Sequence, residues 1–231
     1  MSKLVKEYTL GIEEVSLPFE KYLSNQEFDL LKRNSNIVKY KNKDVIFRQD
    51  TRTSHIMLIT SGFVKIYKEG RNGKIIILKV GTKDSFIGLI SVFGHDIHQY
   101  SASAIDTVKI CYVDINIFKE IISKNGEFAI HLLKRLSLDG LFIFDRLMSQ
   151  SHKQLPGRIA DVILYFCETI FKSQVFNFPF TRRELAELAG TTKESFIRTL
   201  TEFKNDKIIE LDGSRVEIIS MNIIKTLSEL G

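Results

Sequence analysis

Short apolar runs alternate with turn residues between residues 37 and 113 of the chain. The runs are too short for helices, and glycine-containing turns such as Ser61-Gly62 and Glu69-Gly70 separate them. Many short strands at this spacing predict a β-roll or jelly roll, in which closure or sheet packing removes most exposed strand edges. The predicted strands are Asp44–Phe47, His55–Thr60, Phe63–Tyr67, Lys74–Val80 and Thr107–Val113.

A helical pattern follows from about residue 115 to residue 154. One apolar stripe steps by three and four residues, as in a coiled-coil seam. This predicted dimer seam consists of Leu133, Leu136, Gly140, Ile143 and Leu147. A second stripe beside it consists of Leu132, Leu141, Phe144 and Met148.

A helix that is apolar on two faces must bury both of them. We expect one stripe to cover the β-domain and the other to pair with the same helix of a second chain. The alternative is that both stripes pack within one chain. Gly140 favours the dimer, because a glycine in the seam lets two backbones approach closely. The dipeptide Pro156-Gly157 then interrupts the pattern and predicts a hinge or linker before a further amphipathic helix.

Residues 180–204 predict two helices joined by a tight turn. Thr181 and Glu184 fit a capping box that begins a helix at Arg182, and Gly190 supplies the left-handed exit. Thr191 or Thr192 caps the second helix. Its buried stripe has the spacing i, i+4, i+7 and consists of Phe196, Leu200 and Phe203.

Two β-rich runs around Asp212-Gly213 predict a hairpin directly after the helix pair. Two helices followed by a hairpin are typical of a winged helix-turn-helix, which places its second helix in the DNA major groove. The outer face of that helix carries Lys193, Glu194 and Arg198. Arginine can bond guanine and glutamate can accept from cytosine. The alternatives are an ordinary solvated ion pair of Glu194 with Arg198, or a capping role of Glu194 with Thr191.

Composition permits these interpretations and excludes others. The chain has 231 residues, 44% of them hydrophobic, and a formal net charge of +5, which allows nucleic-acid binding without requiring it. Cys111 and Cys167 form no CxxC pair, so we expect buried thiols rather than a zinc or redox site. No signal peptide and no apolar run near ~18 residues is found, so a cytoplasmic protein without a membrane partner is expected. No nucleophile–base pair, HExxH motif or phosphate-binding loop points to an enzyme.

The β-roll, the seam helix, Pro156-Gly157 and the helix pair together resemble the Crp/Fnr family of bacterial transcription regulators. The most specific segments are residues 156–160 and 180–200. The resemblance implies a homodimer on a palindromic double-stranded DNA site, with RNA polymerase as a further partner. It places Lys193, Glu194 and Arg198 on base-reading positions. Thr181 and Arg182 fall on phosphate-contacting positions, and Ser195 helps to position the helix.

The effector domain departs from the cyclic-nucleotide binders of this family. Leu89 and Tyr100 occupy the positions where those proteins carry an acid for the ribose and an arginine for the phosphate. A buried cyclic phosphate would then lack a counter-charge, so tight binding of cyclic AMP is not expected. A four-cysteine cluster near the N-terminus, which iron–sulfur sensing would need, is absent. The predicted pocket for an unknown small-molecule effector comprises Phe86, Gly88, Leu89, Ile90, Tyr100 and Ser101.

No cofactor or metal site is predicted. His95 and His98 lie in the adjoining loop, where they could ligate haem or be ordinary solvated surface residues. In all, the sequence predicts an α+β chain. A β-roll or jelly-roll effector domain covers 1–125, a long dimerisation helix and hinge 126–155, and a winged helix-turn-helix DNA-binding domain 156–231. The predicted function is that of a homodimeric, sequence-specific transcription regulator. The alternative is a β-roll sensor that acts on a protein partner, with haem or a small apolar ligand.

Overall fold

The computed structural model of the protein describes residues 17–231, which form two compact units. The first unit consists of residues 17–71 and 79–140, and the second of residues 72–78 and 141–231. Residues 1–16, which begin the predicted effector domain, lie outside the described residues.

Two four-stranded sheets form the predicted β-roll. One sheet has the order β1-β8-β3-β6 and the other the order β2-β7-β4-β5. In the first sheet β8 pairs antiparallel with both β1 and β3. The strands are β1 (Ser35–Tyr40), β2 (Val45–Phe47), β3 (His55–Ser61), β4 (Val64–Glu69), β5 (Ile75–Gly81), β6 (Phe86–Ile87), β7 (Ser101–Ala104) and β8 (Val108–Asp114).

Helices cover the first sheet and share its apolar core. They are α1 (Asn25–Arg33), α2 (Leu89–Gly94), α3 (Ile115–Lys124) and the first half of α4 (Gly126–His152). The centre of the core is a cluster of fully buried or nearly buried rings, formed by Phe19, Phe86, Phe118 and Phe128.

The helical segment predicted from about residue 115 to residue 154 is divided into α3 and α4. Asn125 separates the two helices, because its backbone is extended and its side-chain oxygen accepts a hydrogen bond from the backbone N–H of Phe128 at 2.9 Å. An asparagine that satisfies a free N–H in this way favours a helix start.

The second unit begins with the end of α4 and continues into α5 (Leu155–Leu164), which leads into a π-helical segment, Tyr165–Phe171. The prediction that Pro156-Gly157 forms a linker is wrong. The break between α4 and α5 falls on Lys153 and Gln154, and Pro156 lies in the first turn of α5, where its missing N–H costs nothing.

The rest of the second unit has the order expected of a winged helix-turn-helix. It consists of β9 (Val175–Asn177), α6 (Arg182–Ala189), α7 (Lys193–Asn205), β10 (Ile209–Asp212), β11 (Arg215–Ile218) and α8 (Met221–Leu230). The three strands form a sheet of order β10-β11-β9. Because Asp212 pairs with Arg215, the hairpin turn is Gly213-Ser214, one residue later than predicted.

The last helix packs closely on the first turn of α5. A Cβ atom on Gly157 would lie only 2.8 Å from the carbonyl oxygen of Leu227 in α8. Gly157 therefore serves close packing of two helices rather than a flexible hinge.

Candidate nucleic-acid interface

Side-chain caps fix the start of both helices in the helix pair. The backbone N–H of Glu184 donates to Thr181 Oγ1 at 3.3 Å, and the N–H of Thr181 donates to Glu184 Oε2 at 3.0 Å, which completes the predicted capping box. Gly190 ends α6 with a φ of 66°, as a left-handed exit requires. Thr192 rather than Thr191 caps α7, because Thr192 Oγ1 accepts from the N–H of Ser195 at 3.2 Å.

One face of α7 is buried and the opposite face is exposed. The buried face carries Phe196, Thr199, Leu200 and Phe203, which includes the complete predicted stripe. Lys193, Glu194 and Arg198 are all exposed, and Ser195 is half-buried beside its cap. The structure thus brings the three predicted base-reading side chains together on one open surface.

Arg198 does not form the ion pair with Glu194 that was the alternative explanation of their spacing. Its Nε lies 3.9 Å from Glu202 Oε1, and both side chains are exposed. A long contact between exposed groups contributes little to stability, so the Arg198 guanidinium stays available to a partner. The capping alternative for Glu194 is also not observed, since Thr192 and Ser195 form the cap.

Two cations attach the wing to the helix pair. Arg182 Nη2 donates to the carbonyl oxygen of Gly213 in the hairpin turn at 2.5 Å, and its guanidinium lies 5.7 Å from the ring centre of Phe178. Partial burial lowers the pKa of Arg182. Lys204 Nζ donates to the carbonyl oxygen of Leu211 at 2.9 Å. Arg182, predicted to contact phosphate, therefore positions the wing in this structure.

The end of α4 is bonded to the helix pair. Arg146 Nη2 donates to the carbonyl oxygen of Leu188, one residue before the end of α6, at 2.5 Å, and burial lowers the pKa of Arg146. Arg158 Nη1 in α5 donates to the carbonyl oxygen of Gly190 at 3.0 Å. The turn between α6 and α7 is thus held from both α4 and α5.

A carboxylate on α5 joins three helices. Asp161 accepts from Lys153 Nζ at 2.8 Å and from Ser149 Oγ and Ser228 Oγ, each at 2.5 Å. Sequence reasoning missed this network because its hydrogen-bonded members are up to 75 residues apart. The one local signal is an acidic residue at a half-buried position of a mostly apolar helix.

Comparison with known proteins agrees with this architecture. The sequence model described as "Cyclic nucleotide-binding domain" matches residues 37–125, and the one described as "Crp-like helix-turn-helix domain" matches residues 157–227. Together they cover most of the chain. The chain belongs to the Crp/Fnr family.

Individual relatives are distant but cover most of the chain. The Anaerobic regulatory protein of Haemophilus influenzae is 22% identical over 92% of this chain and 83% of its own length. A "CRP-like cAMP-activated global transcriptional regulator" of Mycobacterium tuberculosis is 23% identical over 78% of this chain and 83% of its own length. The solved structure of FixK2 from Bradyrhizobium japonicum superposes with a TM-score of 0.77 at 18% identity and covers 84% of this chain and 96% of FixK2.

The long helix of this Crp/Fnr regulator exposes a continuous apolar face. Leu136 of the predicted seam packs against the core of the first unit, and Leu132 of the second stripe is buried there. Phe144, 11 residues after Leu133, returns to nearly the same side of the helix, and both are 64% exposed. The exposed face therefore combines members of both stripes. It consists of Ile130, Leu133, Gly140, Leu141, Phe144, Leu147 and Met148, with Ile143 at its edge.

The residues of the predicted effector pocket have different surroundings in the structure. Phe86 and Leu89 belong to the apolar core, whereas Ile90 is 52% exposed. The hydroxyl oxygen of Tyr100 accepts from the N–H of Gly88 at 2.7 Å, and burial raises the pKa of Tyr100 to about 12.

Ser101 is fully buried, and its hydroxyl oxygen accepts from the N–H of Gln49 at 2.9 Å. The hydroxyl groups of Tyr100 and Ser101 therefore already have hydrogen-bond partners within the protein.

The loop histidines differ from each other. His95 is exposed, as expected for a solvated residue, but the same expectation is wrong for His98, which is 3% exposed. Its ring stacks on Phe47 with 3.9 Å between ring centres, and burial lowers the pKa of His98 to about 4. Among residues 17–231, no group of three or more His, Cys, Asp or Glu side chains could hold a metal ion.

Cys111 and Cys167 are both free and buried, which confirms the prediction of buried thiols. Burial raises the pKa of Cys111 to about 11. Of the helices in the described part of the chain, none has the length and apolar composition needed to cross a bilayer.

Proposed function

We propose that this protein is a homodimeric, sequence-specific DNA-binding transcription regulator in which α7 contacts base edges in the major groove. The observation that carries this proposal is the exposed face of Lys193, Glu194 and Arg198, opposite a buried apolar stripe on the same helix. Arg198 offers a fork of hydrogen-bond donors, Lys193 a compact cation and Glu194 a hydrogen-bond acceptor. These groups suit the different edges of the base pairs. Such a protein is a regulator rather than an enzyme, and it acts in the compartment that holds the DNA.

The exposed apolar face of α4 supports the homodimer. A helix face this apolar is expected to be covered, and coiled-coil spacing suits a second copy of the same helix. Gly140 lies in this face and allows close approach. Two copies of α7 would then contact two half-sites of a palindrome about one helical turn apart. RNA polymerase as a partner follows from the family resemblance alone.

We do not expect cyclic AMP to act as a tight effector of this protein. Leu89 is buried in the apolar core, and Tyr100 offers no cation for a phosphate. The hydroxyl of Tyr100 also occupies the N–H of Gly88. Calorimetric titration with cyclic AMP should show no binding tighter than about 100 μM, and a micromolar dissociation constant would refute this expectation.

Selection from random double-stranded DNA tests the main proposal. The full chain should enrich a two-fold symmetric motif, because two copies of one helix contact it. Failure to enrich any motif would favour the alternative of a sensor that acts on a protein partner.

The variant Arg198→Ala tests which side chain provides specificity. We expect it to lose about 1–3 kcal/mol of affinity for the selected site and to relax preference at one base pair. Its thermal unfolding should be unchanged, since Arg198 is exposed. Arg33→Ala, which removes an exposed arginine of α1, is the control. An equal loss by Arg198→Ala on selected and random DNA would make Arg198 a phosphate contact instead.

A further inference from the structure

The β-roll unit contains a cavity of about 320 Å³ that none of the predicted effector-pocket residues lines. It opens beside the segment between β2 and β3. The residues that define its chemistry are Tyr40, Phe47, Arg52, His55, His98 and Tyr112. A cavity of about 150 Å³ is enough to admit benzene, so this one can hold a small organic molecule.

Aromatic rings take part in the cavity wall beside polar side chains. Phe47 and His98 stack with 3.9 Å between ring centres, and His55 meets Tyr112 edge-on at 5.8 Å. The hydroxyl of Tyr112 is hydrogen-bonded to that of Tyr40. Planar rings favour stacked and edge-on contacts with other rings, so this wall suits a planar aromatic body.

The charge on the lining of the cavity is positive. Arg52 is exposed, pairs with no carboxylate among the described residues, and is the only charged side chain of the described chain that lines the cavity. The neighbouring Thr51, Thr53 and Ser54 add hydroxyl groups. A guanidinium binds a carboxylate through charge-assisted hydrogen bonds, and a single cation matches a single negative charge.

We propose that this cavity is a binding site for a small aromatic monocarboxylate, with the ring against the aromatic wall and the carboxylate on Arg52. The inference concerns binding by the β-roll alone. It does not depend on the proposed DNA-binding function, so each can fail without the other.

Calorimetric titration of the full chain at neutral pH tests the site with three probes. Benzoate carries both the ring and the charge, benzamide keeps the ring without the charge, and acetate keeps the charge without the ring. We expect benzoate to bind at least about tenfold more tightly than either of the others.

Two arginine variants then locate the binding. Arg52→Gln should weaken benzoate binding at least about tenfold. Arg48→Gln removes an exposed arginine of the same segment that does not line the cavity, and it should leave binding unchanged. Both positions are exposed, so both variants should fold.

Three outcomes would overturn the inference. The first is no detectable binding of benzoate up to about 10 mM. The second is equal affinity for benzoate and benzamide, which would show that the cation takes no part. The third is an equal loss in the two arginine variants, which would indicate diffuse charge attraction rather than a site.

Discussion

At the scale of the single residue, the imidazole of His98 shows how a loop position acquires unusual chemistry. The ring is buried against Phe47, and burial lowers its pKa from 6.5 to about 4. Sequence alone could not show this, because the two rings are 51 residues apart and a loop histidine looks solvated. The local caps at Thr181 and Glu184 were predictable for the opposite reason, since both groups lie within one turn.

The buried imidazole makes stability depend on pH. The unfolded chain takes up a proton near pH 6.5, whereas folded His98 takes one up only near pH 4. Stability from this residue is therefore fully present above pH 6.5 and falls by up to about 3 kcal/mol as the pH drops toward 4. Urea denaturation of the wild-type protein between pH 7.5 and pH 4.5 should show this decline.

The same urea denaturation series on two variants identifies the residue that causes the decline in stability. His98→Gln should reduce the pH dependence, while His95→Gln, at an exposed position, should retain it. A wild-type slope that survives in His98→Gln would place the responsible proton on another group.

At the scale of the element, α4 shows what periodicity can and cannot determine. The three-four spacing correctly predicted a long helix with apolar residues on more than one side. It could not determine which residues would pack on the β-domain, because that depends on how α4 lies against the sheet. Leu136 of the predicted seam contacts the core, whereas Phe144 of the second stripe is 64% exposed.

The exposed face of α4 gives a prediction about self-association. Phe144→Asp should convert the proposed dimer to a monomer, because it would bury an unpaired charge between two helices. Leu138→Asp is the matched control, since Leu138 is 53% exposed and lies about a third of a turn around the helix from Phe144. Sedimentation velocity measures both, and a Phe144→Asp protein that stays dimeric would show that the subunits meet elsewhere.

At the scale of the whole molecule, the order of elements was predictable and the polar contacts between them were not. Strand spacing, the helix pair and the hairpin are local patterns, and each appears in the structure as a β-roll or a winged helix-turn-helix. The bonds of Arg182 to the wing, of Arg146 to α6 and of Asp161 to Ser228 join distant parts of the chain. No sequence period marks such pairs.

At the same scale, the proposed dimer has a functional consequence. A chain that presents one α7 contacts one half-site, so a monomer loses the gain from engaging both half-sites at once. The Phe144→Asp variant should therefore bind the selected palindrome at least about tenfold more weakly than the wild-type protein. Its affinity for a duplex that carries a single half-site should change little, and fluorescence anisotropy can compare the two.

The separation of roles along α7 has an evolutionary consequence. Phe196, Leu200 and Phe203 hold the helix in place, while Lys193 and Arg198 contribute little to the core. Substitutions on the outer side could therefore direct the protein to different operators with little loss of stability. Natural variation in such regulators should accumulate on that side first, and new regulons could arise through single codon changes.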